Sequence, residues 1–407
     1  MRCRHLLAFA GAGLFVAVLT HAEAPQRPGG KYRPDGVVGM EHFVGSAGAR
    51  RLLASNGFVV TDQQFKQIFS AYVGEHGMCP LPVYITTDSA WHAYHVLLEE
   101  GVKQLEVLQA DRLRRFTRGL LRACLGRLRQ GDAAFEKAAV IVAVGAALQD
   151  GALPKELPEG PAQRAKAIVT ALGEGVFPVD TGVGFPVLPS QFRAQGFYAG
   201  VPRLAGYFAA RRWYGTVVFR LTDDAETATA GRLAMLVSRD RELSGMYEQL
   251  DEPYASLLGP AEDGDVNAYA AVIRKVVPSG EPGGLGKHIS SVRKELAARL
   301  PLPTICDQLL LPGQYARFAA VIRGFRLLPP RRLPSAVCFQ NTTDPVLPGR
   351  AFPTGLDFLA ASKELRSEAA LRALREAVGR AMAERICRAD CGQLPDSLHG
   401  QALRLLA

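Results

Sequence analysis

A mainly α-helical fold, with large helical domains and a few short strands, is what this sequence predicts, on three observations. Apolar residues recur at helical spacing through most of the chain, as in Leu113, Phe116, Leu120, Cys124 and Leu128. The Ala/Val/Ile-rich run from Ala138 to Leu148 reads as a helix buried on most sides. Strand-like runs are short and isolated, at Val83-Tyr84-Ile85 and Ala336-Val337-Cys338-Phe339.

The chain opens with Arg2 and Arg4, an apolar run from Leu6 to Leu19, and then Thr20-His21-Ala22. This is the layout of a secretory signal peptide, with cleavage expected after Ala22. The run is shorter than the ~20 apolar residues of a membrane-spanning helix. Residues 23–56 read as a leader, 57–189 as an N-terminal helical part, and 190–407 as a second helical part packed on the first. The expected compartment is therefore secreted or periplasmic, with no membrane span after cleavage.

Thr61-Asp62-Gln63-Gln64 has the form of a capping box, and Phe65, Ile68, Phe69 and Tyr72 share one face of the helix that follows. After a loop through Gly77–Pro82, Thr87 is placed to cap a helix running to about Gln109, with Asp88 in its first turn. Asp111 or its neighbours begin the next helix, and Asp132 caps a third. Gln163–Leu172 reads as a shorter helix. The segment Val176–Pro189, rich in proline and glycine, reads as a boundary or an active-site loop. Further helices are expected at Pro202–Tyr214, Ala225–Arg241, Val266–Val277 and Ile289–Leu300. Tyr315–Leu327 has no single reading, and Glu364–Arg388 reads as one amphipathic helix.

The 407-residue chain carries 48 Lys and Arg against 39 Asp and Glu, a net charge of +9. Arginine is scattered along helices, as at Arg112, Arg114, Arg115, Arg118 and Arg122, which marks solvated faces rather than a nucleic-acid surface. Of 7 cysteines, Cys79, Cys124, Cys306, Cys338, Cys387 and Cys391 lie beyond the leader. Export permits disulfides, with Cys306–Cys338 and Cys387–Cys391 the local pairings to test, while burial as small apolar residues is the alternative.

Chemistry concentrates in Asp88, His92, His95, Glu99 and Glu106. At ~100° per residue these fall within roughly 60° of one another on a helix beginning at Asp88. Trp91, Tyr94, Leu98, Val102, Leu105 and Leu108 form an apolar side next to them, so the stripe is expected at a partly desolvated rim. Two imidazoles one turn apart with a carboxylate are what a divalent metal, zinc foremost, requires. In that reading His92 and His95 are ligands, Asp88 a ligand or orienting acid, and Glu99 a general base. In the alternative, Asp88 caps the helix, His95 packs against Trp91, and Glu99 and Glu106 are solvated.

Weaker signals are Asp263-Gly264-Asp265, a calcium loop or a turn, and Gly283-Gly284-Leu285-Gly286-Lys287, which lacks the spacing of a phosphate loop. No Gly-x-Ser-x-Gly elbow supports a serine hydrolase. His42, His76 and His288 join a site only if folding gathers them. Arg350 and Asp357 read as a buried ion pair or as substrate groups.

Several runs carry a resemblance: Pro82 to His95; Ser190-Gln191-Phe192 with Gly196-Phe197-Tyr198; Tyr207-Phe208 with Arg212-Trp213-Tyr214-Gly215; and Gly349-Arg350 with Pro353-Thr354-Gly355-Leu356-Asp357. In this order, over about residues 57–375, the chain resembles a family of exported bacterial and archaeal proteins, domain of unknown function 3160. The resemblance implies no activity. It implies a further C-terminal third, with a Trp-x-x-Leu-Arg-His-Asp-like element, where this chain stops at Ala407. It also implies an aspartate where this chain has Ser335. The function expected is that of a metal-dependent hydrolase or metal-binding protein acting on an envelope or extracellular ligand. The alternative is a non-enzymatic helical scaffold or an inactive, truncated member.

Overall fold

A computed structural model of the chain describes residues 46–60, 87–278, 282–344, 346–363 and 365–389. The expected signal peptide, the expected leader up to residue 45, the capping box at 61–64, the strand 83–85, and Cys79, Cys391, His42 and His76 lie outside the described residues, while the end of that leader, 47–56, is helical. The described residues are mainly α-helical, with one two-stranded antiparallel sheet. None of their helices is long and apolar enough to cross a membrane. The chain divides into two compact units, one through Leu105 and one from Glu106.

In the first unit, α1 (Ala47–Asn56) starts where Ser46 Oγ accepts from the Ala49 N–H at 3.2 Å. It ends at Gly57, whose φ of 79° is one that glycine adopts freely. The following helix, α2 (Thr87–Arg129), is continuous. A new helix does not start at Asp111, because neither Gly nor Pro interrupts the surrounding sequence. The Asp111 carboxylate instead reaches forward to Arg114 at 3.4 Å and across to Arg203.

The larger unit is built around α3 (Glu136–Asp150), which is buried without interruption from Ala138 to Ala147. Asp132 caps the short turn before it, accepting from the Ala134 N–H at 3.2 Å. The small residues on α3 let two neighbours approach closely: α4 (Glu159–Glu174) and α5 (Pro202–Thr216). From α5, Trp213 Nε1 donates to the Ile141 carbonyl at 2.9 Å, and Tyr214 Oη to the Val142 carbonyl at 3.0 Å. Gly145 leaves room for the Tyr214 ring, which occupies the position a Cβ would take. Leu113, Phe116, Leu120 and Cys124 of α2 are buried in the same core, as their spacing predicts.

After α5 the chain forms β1 (Phe219–Arg220) and then α6 (Asp224–Arg239), capped by Asp223. A helix the pattern does not anticipate, α7 (Arg241–Leu258), buries Leu243, Tyr247, Leu250 and Tyr254 despite Pro253 within it. Proline removes one backbone donor and obscures the periodicity, but the buried face holds the helix. Next come α8 (Val266–Val276), α9 (Ile289–Arg299) and α10 (Phe318–Ile322). Then β2 (Gly324–Phe325) pairs with β1, Phe219 opposite Phe325. The segment without a single reading is thus a 3-10 turn, a short helix and a strand. Gly283–Lys287 lies in the 3-10 turn Pro282–His288.

Residues 336–339 are not a strand. They belong to α11 (Pro334–Asn341), which opens on a proline at its first position, where no N–H is needed. Helix α12 (Gly355–Ala361) follows, and the expected single tail helix is two, α13 (Glu368–Val378) and α14 (Arg380–Cys387). Gly379, at φ 79°, breaks it. Together α11–α14 enclose a second, smaller core around Cys338, Phe358, Leu374 and Ile386. Arg350 and Asp357 are a buried pair there, with Nη2 at 2.8 and 2.7 Å from the two carboxylate oxygens.

The same substitution should act oppositely at two helical glycines. Gly145→Ala forces a methyl into the Tyr214 ring and should destabilise by ~1–3 kcal/mol. Gly126→Ala, where an added Cβ meets nothing within 4 Å, should be neutral or stabilising by up to ~1 kcal/mol. Urea denaturation of the two variants checks both.

Candidate functional site

The first turns of α2 carry the predicted stripe. Asp88 is helical, and its side chain lies outside the described residues. His92, His95 and Glu99 are exposed. His95 Nε2 and Glu99 Oε2 are 3.2 Å apart, with the side chains 69% and 44% exposed. An i,i+4 pair in solvent is worth only ~0.3–0.5 kcal/mol.

The desolvated rim expected for these groups is not there. Trp91 and Leu98 of the supposed apolar side are exposed. Trp91 packs edge-on against Tyr94, ring centroids 6.0 Å apart. No group of three or more His, Cys, Asp or Glu side chains that could hold a metal occurs among the described residues.

Glu106, expected on the same stripe and solvated if the stripe is not a site, is 5% exposed. It belongs to the larger unit and faces aromatic neighbours from α5 and α7. Tyr254 Oη donates to Glu106 Oε1 at 2.7 Å, and Tyr207 Oη lies 2.8 Å from Tyr254 Oη. Tyr207 and Tyr198 also hydrogen-bond Glu106, and Arg211 adds a nearby positive charge. The Arg211 guanidinium sits 5.3 Å from the Tyr254 ring centroid and donates from Nη1 to the Leu328 carbonyl at 2.6 Å.

Burial pushes the Glu106 carboxyl above its ordinary value, and the three phenols and Arg211 only partly offset this. Burial and the Glu106 charge push the Tyr207 and Tyr254 phenols upward in turn. The cluster therefore holds protons rather than releasing them. Chemically it joins α2, α5 and α7 through a shared polar contact.

A second buried charge network replaces the calcium reading of Asp263-Gly264-Asp265. Arg326, 1% exposed, places Nε 2.7 Å from Asp263 Oδ2 and Nη2 2.8 Å from Asp307 Oδ1. Burial pushes the Asp263 carboxyl up to about 7 even against Arg326. Asp265 instead caps α8, accepting from the Ala268 N–H at 2.8 Å.

The described cysteines form no disulfide with one another, so Cys306 is not bonded to Cys338. Cys306 Sγ instead lies 3.9 Å from the Gln308 carbonyl. Cys124 is fully buried and its thiol is pushed up to about 12, which makes it a packing residue. The pairing Cys387–Cys391 lies partly outside the described residues.

These features define a helical protein with a polar stripe on one long helix and two buried charge clusters. The family model described as "Protein of unknown function (DUF3160)" matches residues 46–397, and the chain belongs to that family. No curated protein and no solved structure matches it.

The Glu106 cluster has a pH signature. Its folded-state carboxyl lies above its ordinary value of 4.5, so the folded state binds more protons than the unfolded one. That contribution is fully present below the ordinary value and is lost as pH rises through the folded one. Glu106→Gln removes it. The stability of the variant relative to the parent should therefore improve as pH rises from about 4.5 toward neutrality. Paired thermal melts across that range measure the trend, and a difference independent of pH would rule it out.

Proposed function

We propose that the protein is an exported metal-binding member of its family, taking a divalent ion, zinc foremost, on the first turns of α2. One observation carries the reading: His95 Nε2 is 3.2 Å from Glu99 Oε2. A carboxylate on one imidazole nitrogen fixes the ring and leaves the other nitrogen, Nδ1, for a metal. His92, three residues earlier on the helix, supplies a second imidazole, and Asp88, one turn before His92, a carboxylate. His92 and His95 are exposed, so the two imidazoles need not be stripped of a buried environment to bind.

In this arrangement Glu99 orients His95 and is not the general base expected from the sequence. Acting on an envelope or extracellular substrate, the ion would polarise that substrate or a bound water. A second reading, a non-enzymatic helical binding or scaffold module, is favoured by the fact that His95 and Glu99 already satisfy each other in solvent. The signal-peptide layout of residues 1–22 supports export in both.

Zinc titration calorimetry on the purified chain separates the two. The metal reading expects about one zinc per chain, abolished in His92→Ala/His95→Ala and weakened about 10- to 100-fold in Glu99→Gln. No saturable zinc binding, or binding indifferent to the double variant, leaves the scaffold reading.

A further inference from the structure

Away from α2, the larger unit has an open groove of about 400 Å³ between the start of α6, α9 and α10. Its walls carry Arg293, Lys294 and Arg323, with hydroxyls from Thr222 and Ser290. Between these polar groups the lining is aliphatic, and Leu302 is 54% exposed there. A space of this size suits a small molecule.

The charge balance in the groove is positive. Arg293 Nη1 pairs with Asp224 Oδ1 at 2.6 Å, and its Nε donates to the Leu221 carbonyl at 2.7 Å. Among the described residues Arg323 meets only neutral carbonyls, donating from Nη2 to Ala297 at 2.7 Å and also to Leu300. Its Nε is buried without a hydrogen-bond partner. Lys294 is exposed and has no ion pair among the described residues. Glu295, the next residue, is occupied by Lys275 at 2.6 Å and Arg299 at 2.8 Å. Three cations thus face one carboxylate.

Burial lowers the Arg323 pKa, as expected for a cation short of both water and counter-charge. An oxyanion supplies that charge, and a guanidinium presents N–H donors in the fork that carboxylate and phosphate groups accept. The aliphatic lining adds burial for a short apolar chain, worth ~25 cal/mol per Å².

We propose that this groove binds a small organic oxyanion, a phosphate monoester or carboxylate, with a short aliphatic body. Lys294 and Arg323 face the anionic head, Thr222 and Ser290 donate to its oxygens, and the aliphatic wall takes the chain. The site is independent of the metal reading, and neither result bears on the other.

Titration calorimetry with hexyl phosphate on the full chain at low salt tests it. Saturable binding near one per chain is expected, weakening as salt is added. Lys294→Glu, at an exposed position that should not disturb folding, should weaken binding about tenfold, equivalent to ~1.4 kcal/mol. Ala320→Trp should block the groove by bulk alone. Inorganic phosphate lacks the chain and hexanol lacks the charge, so each should bind more weakly than hexyl phosphate. Hexanoate reports whether a carboxylate head serves as well. The proposal is overturned if neither hexyl phosphate nor hexanoate saturates, or if both variants bind as the parent does.

Discussion

The larger unit depends on one close approach, α5 lying against α3. The ten consecutive buried residues of α3 from Ala138 to Ala147 carry no polar side chain that could anchor α5. The anchors come from the other side. Trp213 and Tyr214 both reach carbonyls of α3, and Gly145 lets the phenol sit against the helix surface. The two aromatic side chains thereby combine large apolar burial with hydrogen bonds for their polar tips. At the other end of the contact, Gly206 lies so close to the Gln149 carbonyl that backbone meets backbone. Close packing of this kind fixes the axial register of α5, and with it the positions of Tyr207 and Arg211, which lie between Gly206 and Trp213.

That register connects packing to chemistry. Tyr207 and Arg211 lie on α5, Tyr254 on α7 and Glu106 on α2, and the four groups meet only because the helices are held at these separations. A carboxyl so deeply buried is costly unless it is bonded or protonated. Here it is both surrounded by phenols and shifted toward the protonated form. The Arg326 pair follows the same logic between the β2 strand and the Asp263 and Asp307 loops, with a guanidinium in the role of the phenols.

Much of the fold was legible because it is written in local periodicity. The stripe Leu113–Cys124, the cap at Asp132 and the buried run of α3 needed only spacing and side-chain type. Failures came where a local signal competed with a longer one. Asp111 resembles a helix start, but without Gly or Pro nearby the helix simply continues, and the carboxylate turns to arginines. Val337 and Phe339 favour strands, yet Pro334 and the burial of Cys338 set a helix. Pro253 hid the period of α7, and Gly379 splits the tail whose periodicity reads as one helix.

The site was legible only in part, for a similar reason. Helical geometry does put Glu106 at the same azimuth as His95, but azimuth does not determine burial. Glu106 lies in the core because Tyr254, 148 residues away in sequence, folds onto it, and no window of local sequence contains that fact. His95 and Glu99 are close, as their spacing requires. The apolar cover expected beside them is exposed instead, since cover comes from elements that periodicity does not name.

The separate small core of α11–α14 has a bearing on how the chain comes apart. Its buried members, from Cys338 to Ile386, form their own cluster, and the buried Arg350–Asp357 pair lies in the same stretch of chain. Elements that share side chains open together, and elements that do not can open alone. Amide protons of α13 and α14 are therefore free to exchange through an excursion that never disturbs α3. Two cores give the larger unit two places to open, and the one after Pro334 has its own buried cluster to lose.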